Sequence, residues 1–204
     1  MTKPEAMSGW DRRRSILVSG YEKIALELFA ERGYRSVTVD DIAAQAGVST
    51  RTLFRYFRTK EDCLLGLPRR GMAAEVAMIE ALEPSEAPLD AVWEAVRGFF
   101  GARPPDTDMS ELWEAAAKEA PEVVARVRGE HMHALNEAVV AYCERSLGVR
   151  AATDPRPRLI AGVLMGIEFA LVETAAHAPA GIDEILESAA AAVDALGERT
   201  ATKT

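Results

Sequence analysis

Cysteine is scarce in this chain. Cys63 and Cys143 are the only two among 204 residues. They are too few and too far apart for a disulfide framework, and in a reducing compartment such a pair reads as two buried thiols. Long apolar runs are missing too. The longest, Leu159 to Val172, is shorter than a bilayer span and is broken by Glu168, which excludes a transmembrane reading. Thr2, Lys3, Glu5 and Asp11 stand where a signal peptide needs a continuous apolar stretch, so the cytoplasm is the expected location. Alternating runs of Val, Ile, Thr and Tyr are absent, and strands are not expected. There is no nucleophile with a paired base and no glycine-rich phosphate loop, which leaves an enzyme reading without catalytic residues and gives no cofactor a site. Metal-ligand spacing is absent as well. His131 and His133 lie two apart, about 200° around a helix, and are not expected to share an ion; His177 reads as a solvated histidine near a helix end.

What is present is helix. Apolar residues recur at three and four, as in Tyr21, Ile24, Ala25, Leu28 and Phe29, a run that stops at Gly33. Ser19 with Glu22 has the spacing of a capping box, which starts this helix near Gly20 and leaves Arg12, Arg13 and Arg14 on an arm or an earlier turn. Thr38 with Asp41 opens a second helix that Gly47 ends. A third runs from about Ser49 to Phe57, and a fourth opens at Thr59 with Asp62 at the box position and is expected to kink or end at Pro68. Further helices are expected from about Gly71 to Leu82, Leu89 to Gly101, Met109 to Ala120, Glu122 to Leu147, Pro157 to Ala176 and Ile182 to Leu196, punctuated by proline and glycine. The C-terminal residues from Glu198 are expected to fray.

Charge divides the chain. The net charge is -8, yet residues 1–70 hold 13 Lys and Arg against 9 Asp and Glu, and the remainder holds 11 against 23. A basic third joined to an acidic remainder suits a protein that offers one end to phosphates.

The informative segment runs from Thr38 to Glu61. Ile42, Ala43, Ala46, Val48, Leu53 and Phe57 form a small shared core around a turn at Gly47. With Leu53 and Phe57 turned inward, Thr50, Arg51, Thr52 and Arg55 project outward, a set of hydroxyls and guanidinium forks suited to base edges in a major groove. Thr38 and Ser49 at helix starts, Lys60 in the first turn of the fourth helix, and the Tyr56 hydroxyl are the candidates for phosphate. Lys60 stands out because a cation at a helix start opposes the dipole, which a phosphate would relieve. Asp40 places an acid beside the same face.

At these residues the chain resembles the TetR family of bacterial regulators. The resemblance lies in Ala25 to Tyr34, Thr38, Ile42-Ala43, Ala46 to Ser49, Leu53 to Phe57 and Lys60-Glu61, and covers roughly residues 20 to 65. It implies an all-α chain: residues 1–66 as a three-helix helix-turn-helix DNA-binding domain, and 67–204 as a larger helical ligand-binding and dimerisation domain. It further implies a homodimer on a double-stranded operator, with repression relieved by a small-molecule effector; an activator of the same fold is the alternative, and a helical-bundle enzyme or a protein-binding adaptor are the rivals from other classes. By position it assigns base reading to Thr50, Arg51, Thr52 and Arg55 and phosphate contact to Thr38, Ser49, Tyr56 and Lys60. The lead from Trp10 to Ser19 lies outside the shared pattern, and Arg12, Arg13 and Arg14 could enter a minor groove as a basic arm.

For a ligand cavity the candidates are Trp93, Phe99, Phe100, Trp113, His131, Leu135, Met165 and Phe169, each also readable as plain core. For a dimer interface they are Gly162, Gly166 and Ala170, which permit close approach, with Ile182, Leu186, Ala189 and Val193 as an apolar seam; two such helix pairs would make a four-helix interface.

Overall fold

The computed structural model describes residues 8–101 and 107–175, together with positions 184, 187, 188 and 191. Within them run α1 (Gly9–Arg32), α2 (Val39–Gln45), α3 (Thr50–Phe54), α4 (Lys60–Glu80), α5 (Pro88–Gly101), α6 (Thr107–Lys118), α7 (Pro121–Leu147) and α8 (Arg156–Ala175). No strand occurs among the described residues. None of their helices is long and apolar enough to cross a membrane. The chain forms two compact units: Met1–Gly71 with Pro105–Gly129, and Met72–Pro104 with Glu130–Thr204. This differs from the boundary expected at residues 66 and 67, which falls inside the continuous α4.

In the first unit α1 starts earlier than Ser19 and Glu22 suggest. Ser8 caps it, its hydroxyl oxygen accepting the Asp11 N–H at 3.2 Å. Glu22 is engaged elsewhere, since its buried carboxylate takes two bonds of 2.7 Å from the Arg70 guanidinium. Arg12, Arg13 and Arg14 therefore lie on the helix and not on an extended arm. Gly33 closes α1 at φ 81°, its N–H reaching Phe29 O at 3.0 Å. Ala25, Leu26, Leu28 and Phe29 are buried, as are Ile42, Ala43, Leu53 and Phe57 of the next segments. α1 packs against α2 and α6, and α2 against α3.

Pro68 does not end α4, which runs through it to Glu80. Proline lacks the N–H that would bond the carbonyl four residues back, here that of Leu64. The Trp113 indole N–H donates to Leu64 O at 3.0 Å in its place. The orphaned acceptor thus has a side-chain partner, and the helix continues past the proline.

The second unit buries Ile79, Val92, Trp93, Leu135, Val139, Tyr142, Cys143, Ala161 and Leu164 in one apolar cluster. α5 packs against α8. The α7 C-terminus is followed by Gly148 at φ 63°. The helix expected over Ile182 to Leu196 falls outside the described residues except at four positions.

Candidate nucleic-acid interface

The reading head is assembled by local signals. The Thr38 hydroxyl oxygen accepts the Asp41 N–H at 3.1 Å while the Asp41 carboxylate accepts the Thr38 N–H at 2.8 Å, closing a capping box at the start of α2. Those Thr38 bonds hold the Asp41 carboxyl below its usual range. Gly47 makes the turn at φ 66°, where a side chain would be strained, and the Val48 N–H returns to Ala43 O at 3.0 Å. Ser49 caps α3, accepting the Thr52 N–H at 3.1 Å. α3 is a five-residue helix, and the Tyr56 and Phe57 N–H groups continue it as a turn onto Leu53 O.

Leu53 and Phe57 are buried, with exposures of 1% and 5%, against Ile42 at 0% and Ala43 at 2%. This inward pair sets the direction of the others. Arg51 and Arg55 are exposed, and Thr50 and Thr52 are half-buried. The Thr50 hydroxyl donates to Asp40 at 2.5 Å, so Asp40 occupies that donor and leaves Thr50 as an acceptor. Thr52 and Ser49 share a hydrogen bond of 2.8 Å. Arg55 donates to the Tyr56 hydroxyl at 3.0 Å and lies 5.1 Å from its ring. The Tyr21 ring braces Tyr56 at 5.4 Å, and the Arg14 guanidinium lies 5.8 Å from the same ring. Arg14 thus reaches the reading head from a helix, a placement that sequence spacing did not signal. Phe54, 48% exposed on α3, was equally unmarked.

Two of the phosphate candidates have partners within the fold. Lys60 donates to Tyr34 O at 2.7 Å and to Val37 O at 2.9 Å, and its ammonium stands 4.3 Å from the Tyr34 ring centre. These carbonyls and this ring offset the helix dipole, so a phosphate is not needed to explain a lysine at that position. The Tyr34 hydroxyl is pushed up to about 12 by burial, and Glu61 adds to the shift. The Thr38 hydroxyl and N–H are both engaged with Asp41.

The ligand-cavity candidates separate. Trp113 belongs to the first unit, tied to Leu64 as a helix brace. In the second unit Trp93, Leu135 and Met165 line one cavity of about 10 Å³, room for a single water. Phe99 and Phe100 form an edge-to-face pair at 5.7 Å. Phe169 is 61% exposed and turns away from the core. His131 is buried between Glu75 and Glu168, whose carboxylates, Glu168 foremost, push its imidazole up to about 9. Of the interface candidates, Gly162, Gly166 and Ala170 are exposed on α8; Ile182, Leu186, Ala189 and Val193 lie outside the described residues.

Comparison with known proteins follows the same lines. The family described as bacterial regulatory proteins, tetR family, matches residues 23–67, the segment built above. The chain is 30% identical over 159 residues to the HTH-type transcriptional activator FasR of Mycolicibacterium smegmatis, covering 77% of this chain and 68% of that protein. It is 32% identical over 152 residues to the HTH-type transcriptional regulator TcmR of Streptomyces glaucescens, covering 70% and 66%. Among solved structures, the SmeT–triclosan complex superposes with a TM-score of 0.62 at 16% identity, covering 87% of this chain and 91% of that one. A transcriptional regulator from Aquifex aeolicus superposes with 0.55 at 12% identity, covering 88% and 99%; both likenesses concern the fold alone. The outward arginines on a capped, glycine-turned helix pair and the relatives that share this segment lead to one assignment: the chain is a DNA-binding transcriptional regulator of the TetR family, not an enzyme.

Proposed function

We propose that the chain acts as a homodimeric repressor that holds a palindromic operator and releases it when a small-molecule effector binds the second unit. The observation that carries the DNA reading is the pair of exposed guanidinium groups, Arg51 on α3 and Arg55 at its C-cap, opposite a buried Leu53 and Phe57. Arg51 is the principal base reader, since Arg55 is partly engaged with Tyr56. Thr50 and Thr52 act beside it, Thr50 as an acceptor. Ser49, Tyr56 and Arg14 surround the reader with groups suited to backbone contact. The dimer reading draws support from an exposed apolar stripe on α8, where Leu159, Val163 and Phe169 accompany Gly162 and Gly166. Two copies would set paired reading heads about 34–36 Å apart, one turn of duplex. An effector seated at the small cavity around Trp93, Leu135 and Met165 would have to part the core to enter, which would couple its binding to a change of shape.

Selecting bound sequences from random duplex DNA with the purified protein tests this reading. A palindromic consensus is expected, with affinity falling as salt rises. Arg51→Ala should flatten discrimination at one position of each half-site by about 1–3 kcal/mol; equal losses on every sequence would remove the base-reading role. An activator of the same architecture is the second reading, favoured by the relative named as an activator. A promoter fusion whose expression rises on deletion of the regulator supports repression, and one whose expression falls supports activation.

A further inference from the structure

We propose that Glu75 on α4, His131 on α7 and Glu168 on α8 form a binding site for a divalent transition-metal ion. The three side chains are 3%, 9% and 6% exposed, each from a different helix of the second unit. His131 Nε2 lies 3.2 Å from Glu75 Oε2 and 3.4 Å from Glu168 Oε1, and the three donor atoms fall within 4.8 Å of one another. For metal–ligand bonds of about 2.0–2.2 Å, neighbouring ligands on a tetrahedron or octahedron stand about 3–3.5 Å apart, which is the spacing of both contacts.

The donor set suits a metal ion. Two carboxylate oxygens and one imidazole nitrogen converge from three helices. An ion of charge +2 would take one oxygen from each carboxylate and the Nε2 lone pair, the imidazole giving up its Nε2 proton. Size narrows the occupant. The adjoining cavity, lined by Glu168 together with Ile79, Leu135 and Leu164, measures about 10 Å³, enough for one water as a further ligand and too small for an organic cation. One nitrogen and two carboxylate oxygens suit zinc(II), manganese(II) or iron(II), and do not suit copper(I), which prefers sulfur. Bound there, the ion would tie three helices of the second unit together and stabilise the folded state by mass action.

The test uses the full chain, stripped with a chelator, dialysed and titrated calorimetrically with Zn²⁺ and with Mn²⁺. Saturable uptake of one equivalent per chain is expected, with a melting temperature that rises with metal and falls back on adding chelator. Glu75→Gln and Glu168→Gln should each weaken binding at least tenfold, since loss of a partner behind a ligand already costs about 10–100-fold. The chain holds three histidines. Replacing His133 and His177 together by alanine leaves His131 alone, and its imidazole resonance should shift over the first equivalent of Zn²⁺; this variant decides the matter if the glutamine variants do not fold. No saturable uptake by the stripped wild type, undiminished binding in folded glutamine variants, or an unmoved imidazole resonance would each overturn the proposal.

Discussion

Trp113→Phe tests the account of Pro68 most directly. The substitution keeps an aromatic ring and removes one N–H, leaving the Leu64 carbonyl, which belongs to a residue of 0% exposure, without the 3.0 Å donor that stands in for the missing proline amide. A buried acceptor stripped of its partner costs about 1–3 kcal/mol. The smaller ring adds a packing loss, so the single variant alone is ambiguous. Pro68→Ala resolves it by restoring a backbone N–H four residues beyond Leu64. In that background Trp113→Phe should lose only the packing part, and the cycle should show a coupling of about 1 kcal/mol or more. Urea unfolding followed by far-ultraviolet circular dichroism reads this: with m of about 2 kcal/mol per molar, a loss of about 2 kcal/mol lowers the midpoint by about 1 M in the proline background and clearly less in the alanine one. Equal losses in both backgrounds would show that the indole does not replace the missing amide.

Gly66→Ala would set a methyl 1.9 Å from Glu22 Oε1 and so drive the buried carboxylate off Arg70. With Arg70 half-exposed, losing these charged hydrogen bonds costs about 1.5–3 kcal/mol, of which helix propensity returns about 1, while with Glu22→Ala already present the same change should be neutral or stabilising in urea melts. Lys60→Ala should destabilise DNA-free protein by about 1.5–3 kcal/mol in the same melts, because two charged hydrogen bonds to Tyr34 and Val37 are lost; an unchanged midpoint with weakened DNA binding would return Lys60 to the phosphate. Val163→Glu, on the exposed stripe of α8, should shift sedimentation from dimer to monomer and leave the helical circular dichroism signal intact.

What the sequence by itself determined lies within one turn of helix. Thr38 with Asp41, Gly47, Ser49 with Thr52, and Thr59 with Asp62 are pairs or points whose partners sit three or four residues away, so hydrogen-bond spacing alone announces them. The direction of Arg51 and Arg55 follows equally, since burying Leu53 and Phe57 on a short helix leaves them no other side. Local spacing also misled: Ser19 with Glu22 has the spacing of a cap, but Glu22 is drawn away by Arg70, 48 residues distant, and Ser8 caps the helix instead. The tertiary structure alone decided the rest. Trp113 reaches a carbonyl 49 residues back, Lys60 reaches carbonyls 26 and 23 residues back, and Glu75, His131 and Glu168 meet from three helices. A periodic apolar pattern specifies which face of a helix is buried. It does not specify which helix covers that face, and these contacts exist only once that packing is set.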